Sequence, residues 1–190
     1  RYGSLKTAAW VKTAAVPTLV LLYDDDSCSY IPYGYPVSSS TVTLLVNTGT
    51  TPDEVGLYFS NPFPCKVKGG WIAADMDGPC NIVLYDSDGT TILSSASLVL
   101  GTRVDAYLGL FQFWFAEATL LRNVNYRLVL KPTSATSISL SYFDVNLAAY
   151  LTQCAGGTAY HWTQRTDAGP WSQTTTRRPS MGLYISALDS

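Results

Sequence analysis

The 190-residue sequence predicts an all-β fold, a two-sheet antiparallel β-sandwich with an irregular N-terminal arm. Three observations lead there. Short segments of alternating apolar and polar residues recur from position 41 to the C-terminus, the period of a strand with one buried face. Turn-forming clusters separate them, among them Asn47-Thr48-Gly49, Asn61-Pro62-Phe63-Pro64 and Asp88-Gly89. Hydroxyls supply the polarity: 21 Thr and 19 Ser stand beside a charged fraction of 14%, where soluble domains average about 25%.

Residues 1–40 form the arm. Leu5 to Ala15 predicts a short helix stopped by Pro17. Thr18–Tyr23 is a brief apolar run that ends at Asp24-Asp25-Asp26 and reads as a strand. Tyr30-Ile31-Pro32-Tyr33-Gly34-Tyr35-Pro36 holds too much Pro and Gly for regular structure. The arm packs either on its own domain or on a neighbouring subunit, with Trp10 as its contact residue. The chain opens at Arg1 without Met or a leader pattern, which reads as a processed or trimmed start.

The sandwich domain spans 41–190. Strands are expected at Thr41–Val46 and Gly56–Ser60, then over 66–75 and 80–86, the latter two as a hairpin turning at Asp77-Gly78. Asp88-Gly89 turns the next hairpin into Thr91–Ser94. From Tyr107 to Phe115 both faces are apolar, with Phe111, Phe113 and Phe115 on one and Leu108, Leu110 and Trp114 on the other. Such a strand is central, or its outer face meets another subunit. Tyr126–Leu130, Ile138–Tyr142 and Gly182–Ala187 complete the set, with a short helix around 144–152 and a long loop over 153–181.

Several functions are excluded by composition. A net charge of −2 with 47% hydrophobic residues fits neither disorder nor a basic nucleic-acid binder. No apolar run approaches the roughly 20 residues of a bilayer-spanning helix. The four cysteines, Cys28, Cys65, Cys80 and Cys154, make no C-x-x-C pair, so zinc and redox spacing are absent. The expected 66–75/80–86 hairpin holds Cys65 and Cys80 beyond bridging distance, and half-buried thiols are expected in place of disulfides.

Catalytic chemistry has little to build on. His161 is the single imidazole, with Asp167 or Asp144 as an orienting partner, and no Gly-x-Ser-x-Gly elbow supplies a nucleophile. Glu54 and Glu117 are the two glutamates a glycosidase would have to pair. Glu54 follows Thr51-Pro52-Asp53, where ordinary turn chemistry accounts for it. Asp24–Asp26, Asp75/Asp77 and Asp86/Asp88 put hard oxygen ligands on loops, yet no third ligand follows Asp88-Gly89 and the turn explains it better than calcium. The expectation is a protein that is not an enzyme and holds no cofactor or metal.

The richest interaction segment is 158–178. Tyr160, Trp162 and Trp171 interleave there with His161, Arg165 and Arg177, the mixture that both sugar stacking and protein interfaces favour. An interface set of Trp10, Leu108, Leu110 and Trp114 is expected beside it.

Three stretches carry a family resemblance. They are Thr51-Pro52-Asp53-Glu54-Val55-Gly56-Leu57-Tyr58-Phe59 with its following turn, Val83-Leu84-Tyr85-Asp86-Ser87-Asp88-Gly89-Thr90-Thr91-Ile92-Leu93, and Asn125-Tyr126-Arg127-Leu128-Val129-Leu130-Lys131-Pro132. Together they resemble the jelly-roll-type β-sandwich modules of tailed-phage and virus-like particle surface proteins (decoration proteins, head fibres and tail appendages). They are also similar to galactose-binding-like carbohydrate-binding modules. The resemblance covers 41–188 and rests on strand and turn signatures. It implies a virion-surface structural or adhesive role, a homo-oligomer touching other virion proteins, and a host-surface glycan as a further partner. The alternative it implies is an extracellular carbohydrate-binding module.

Overall fold

A computed structural model describes residues 5–12, 17–23, 28–31, 40–44, 51–76, 78–99, 103–105, 110–134, 138–144 and 160–188, with side chains over 51–76, 78–99, 111–134, 138–142 and 160–188. The described residues form sixteen strands and no helix. The first eight are β1 (Leu5–Lys12), β2 (Pro17–Tyr23), β3 (Cys28–Ile31), β4 (Ser40–Leu44), β5 (Glu54–Ser60), β6 (Cys65–Met76), β7 (Cys80–Tyr85) and β8 (Ile92–Leu98). The others are β9 (Arg103–Asp105), β10 (Leu110–Leu120), β11 (Asn125–Pro132), β12 (Ile138–Asp144), β13 (Tyr160–Arg165), β14 (Ser172–Thr174), β15 (Arg177–Pro179) and β16 (Met181–Leu188).

These strands make two antiparallel sheets packed face to face, the sandwich expected from the alternation. The larger runs β1-β2-β3-β16-β6-β10-β9, with β12 joined to β6 and carrying β4 and β15. The smaller runs β14-β13-β5-β11-β7-β8. Val55, Leu57 and Phe59 of β5, Tyr126, Leu128 and Leu130 of β11, and Ile82 and Leu84 of β7 point inward from the smaller sheet. Val67 and Ile72 of β6, Phe111 and Phe113 of β10, and Leu183 and Ile185 of β16 meet them from the larger. Ser94 of β8 ties the two layers at one edge, its hydroxyl donating to the Ala116 carbonyl of β10 at 2.7 Å.

Four expectations change. The helix over Leu5–Ala15 is a strand at Leu5–Lys12, where Trp10 pairs with Leu19 and Val11 with Thr18. Local Ala content favours helix only weakly, and pairing along β2 outweighs it. The stretch 1–40 thus contributes β1–β3 to the larger sheet, joined through the β3–β16 ladder. The expected hairpin of β6 with β7 does not form, because the two strands belong to different sheets. Both edges of β6 are taken by larger-sheet strands, β10 on one and β16 on the other, while β7 pairs with β11 and β8 in the smaller sheet.

The segment 153–181, expected as a loop, contains β13, β14 and β15 from residue 160 onward. Tyr160 and Trp162 alternate with His161 and Thr163, a strand period hidden by the polar composition. Of the expected Tyr107–Phe115 strand, residues 107–109 lie outside the described residues, and Leu110–Phe115 are strand and continue to Leu120. The helix expected around 144–152 lies outside the described residues past Asp144, which ends β12. Asp88-Gly89 does turn β7 into β8: Gly89 has φ +70°, its amide donates to the Asp86 carbonyl at 2.9 Å, and Asp86 N–H donates to Thr91.

Candidate functional site

Register on the smaller sheet decides which polar residues meet. On its outer face one row across four strands is His161, Tyr58, Arg127 and Tyr85, aligned by direct Cα pairings. Two residues along, Thr163, Gly56, Val129 and Val83 form the middle row. Arg165 opposite Glu54 begins the third, with Lys131 opposite Asn81. An open outer face would leave such residues wet. Here Glu54 is fully buried, and His161, Arg127, Val83 and Tyr85 are nearly so. Trp171, on the connection between β13 and β14, packs over Val83, Tyr85 and Val129.

Glu54 is the hub. Its carboxylate accepts from Arg165 Nη2 at 2.8 and 3.0 Å, from Lys131 Nζ at 2.9 Å and from the Tyr85 hydroxyl at 2.9 Å. Burial alone would raise its pKa, but the hydrogen bonds of Lys131, Arg165 and Tyr85 together with the Arg165 charge hold the carboxyl below its ordinary range. Burial and the neighbouring carboxylate push the Tyr85 phenol up to about 12. The turn reading of Glu54 is therefore corrected. Its neighbours Pro52 and Asp53 end the loop, while Glu54 already belongs to β5 and faces Arg165 across the ladder.

Two guanidinium groups stack on Trp171. Arg165 lies 4.4 Å from the indole centroid and 5.2 Å from that of Tyr85. Arg127 lies 5.1 Å from Trp171 and 5.0 Å from Tyr58 of the neighbouring strand β5, so two aromatic rings pack against it. Burial and the charge of Arg165 lower the Arg127 pKa against the pull of Tyr58 and Asp88. Trp171 Nε1 donates to the Gly89 carbonyl at 3.0 Å. A Cβ at Gly89 would come within 2.7 Å of that nitrogen and 2.8 Å of Arg127 Nη1, so only glycine leaves both side chains in place.

The residues expected to bind along 158–178 do not share one site. Tyr160 and Trp162 are fully buried in the sandwich core and offer no open ring face. His161 is buried against Tyr58, ring centroids 4.8 Å apart, with Nε2 3.0 Å from Gln173 Oε1. Asp167, proposed to orient it, is exposed on the following turn and receives no support from that geometry. Arg165 and Trp171 do come together, in the Glu54 cluster. Arg177 stacks on Tyr142 at 4.1 Å and on Trp162 at 5.3 Å, covering the core edge.

Of the interface set, Trp114 is 59% exposed on the outer face of the larger sheet. Leu108 and the side chains of Trp10 and Leu110 lie outside the described residues, as do Asp24–Asp26, Asp77 and Cys154. Glu117 also faces outward on the larger sheet, 3.4 Å from Lys66 and hydrogen-bonded by Ser186 at 2.7 Å. Glu54 and Glu117 thus occupy opposite faces of the sandwich and flank no common cleft. Asp88 spends its oxygens on the Thr90 and Thr91 amides and the Thr91 hydroxyl, the work of a turn residue.

Sequence reasoning missed Tyr58, Tyr85, Arg127 and Lys131 as a set. The signal is present in hindsight: Arg127 and Lys131 sit at the outward positions of an otherwise apolar strand, and Glu54 has the same parity on β5. What joins them is the register of four strands, which no single segment displays. Comparison with family models and with curated proteins gives no match for this chain.

Proposed function

We propose that this chain is a non-enzymatic structural protein of a virion surface, a decoration, fibre or adhesion component that works as a homo-oligomer and docks on other virion proteins. The observation that carries the reading is the exposure of Trp114. It stands between the core rings Phe113 and Phe115 on β10, and turns its indole to solvent from the outer face of the larger sheet. The ring is held there: it packs on Tyr184 of β16 at 5.2 Å, has Lys68 Nζ 5.8 Å from its centroid, and lies against Gly69 between them. The Tyr184 hydroxyl accepts from Gln112 at 2.7 Å.

A tryptophan fixed in this way loses little freedom when a partner covers it, which is what makes aromatic anchors effective at interfaces. The low charge and abundant hydroxyls of the surrounding chain suit repeated contact with other surfaces. Light scattering at micromolar concentration tests the reading. The native chain should run as an oligomer and Trp114→Ser as a smaller species with an unchanged circular dichroism spectrum. A native chain that stays monomeric, or an oligomer indifferent to Trp114→Ser, would overturn it.

A further inference from the structure

We propose that Arg127 anchors a binding site for a singly charged carboxylate on the outer face of the smaller sheet, with Trp171 as its movable cover. The site is separate from the Trp114 face. Arg127 is only 8% exposed, yet its Nε and Nη1 make no hydrogen bond. A buried guanidinium normally takes an acidic partner, because leaving charged donors unpaired away from water is unfavourable. Each acid within reach is already engaged. Glu54 is saturated by Arg165, Lys131 and Tyr85, and Asp88 by the Thr90 and Thr91 donors of its own turn.

Local charge fixes the valence of the ligand. Arg127, Arg165 and Lys131 stand against Glu54, and Asp88 adds a favourable field at Arg127, which leaves one positive charge over. A monoanion balances it, and a carboxylate oxygen accepts a charge-assisted hydrogen bond from an unpaired guanidinium N–H. Tyr58 stacks on the group from the adjacent strand, a contact that remains when Trp171 moves aside. Access runs past Trp171, which is partly exposed and hydrogen-bonded to Gly89 alone. It follows a turn whose Asp167 and Ala168 both have positive φ, 48° and 55°. The turn and Trp171 lie outside the β13–β14 ladder, so a shift of this connection costs little regular structure.

Titration of the full chain at constant ionic strength tests this, with sodium glucuronate, its neutral methyl ester, sodium acetate and sodium sulfate as probes. Glucuronate should give saturable binding by calorimetry with a change in tryptophan emission, and the ester none. Acetate binding as tightly as glucuronate would point to a free carboxylate as the natural ligand, and weaker acetate binding to a carboxylate borne on a sugar. Arg127→Gln should weaken binding at least about tenfold, the scale of a lost charge-assisted pair. Should that variant fail to fold, the Arg127 Nε resonance of the native protein supplies the readout and should move on addition of glucuronate. An unmoved resonance, equal responses to glucuronate and its ester, or non-saturable responses to every salt would overturn the proposal.

Discussion

Glu54 and Arg165 face each other across the β5–β13 ladder, and one guanidinium nitrogen, Arg165 Nη2, lies 2.8 and 3.0 Å from the two carboxylate oxygens. Glu54 is fully buried and Arg165 is only 9% exposed at its side chain. The pair fixes the strand that carries Trp162 into the core and, beyond it, the connection that carries Trp171 over the outer face. One contact therefore couples both faces of the smaller sheet.

Removing the carboxylate should be costly. Glu54→Gln leaves Arg165 without its acid in a dry setting, and breaking a buried pair from one side typically costs about 3–5 kcal/mol. Lys131→Met removes a partner that is 41% exposed at its side chain, where ion pairs contribute about 1 kcal/mol or less. Urea denaturation should rank the two variants in that order. Equal midpoints would mean that the cluster does not act as a hub.

The same carboxyl sets an acid limit on stability. Its folded pKa lies below the unfolded value, so its stabilising contribution is present above the unfolded pKa and disappears as pH falls through the folded one. Stability should decline as the medium is taken below the ordinary glutamate range, near 4.5. Asp88, also held low by its turn hydrogen bonds, acts in the same direction. Thermal melts from pH 7 downward should show a shallower acid slope for Glu54→Gln than for the native chain. Parallel slopes would locate the acid sensitivity elsewhere.

Gly89→Ala should damage the outer face without touching the core. The backbone at φ +70° costs a Cβ-bearing residue about 1–2 kcal/mol, and the added carbon would press on Trp171 Nε1 and Arg127 Nη1. Trp171 should leave its carbonyl partner, with a red-shifted emission that a Trp171→Phe background lacks. A variant with native emission and native stability would show that the turn relaxes around the methyl.

How much of this was legible beforehand differs between the layers. β5, β11 and β16 could be read directly, because Leu57, Leu128 and Leu183 alternate with outward residues and turns end each run. β7 is legible as a strand, but its neighbours β11 and β8 are not the ones its position after β6 suggests. Asp77-Gly78 looks like a hairpin whether the chain doubles back or crosses to the other sheet, and only the occupancy of both β6 edges decides. β13 reads as loop because four of its six side chains, His161, Thr163, Gln164 and Arg165, are polar. Glu54 was assigned to its turn for a similar reason, since Arg165 is 111 residues away in sequence.

Cysteine chemistry should follow burial. Cys65 and Cys80 are both buried thiols, and burial pushes Cys80 up to about 12, leaving almost no thiolate at neutral pH. They begin and follow the twelve-residue β6, and a strand rises about 3.3 Å per residue, so they stand far beyond the roughly 7 Å limit for a bridge. Iodoacetamide on the native chain, read by peptide mass spectrometry, should leave both unmodified, and urea should expose both. Rapid native labelling of Cys80 would contradict its environment.

The five tryptophans include a sharp contrast between Trp162 and Trp114. Trp162 is fully buried, makes an edge contact with Tyr142 at 5.3 Å and donates its indole N–H to Gln164 at 2.7 Å. Trp162→Ala should cost about 3–5 kcal/mol through the cavity it leaves. Trp114 presents most of its ring to solvent, so Trp114→Ala should change monomer stability by no more than about 1 kcal/mol. Its effect should appear instead in assembly, as a shift of the oligomer equilibrium with concentration. Melts at two concentrations separate these cases: a partner-covered Trp114 makes the native midpoint rise with concentration, and Trp114→Ala abolishes that rise. If Trp162→Ala proves mild and Trp114→Ala severe at every concentration, the assignment of core and contact surface is reversed.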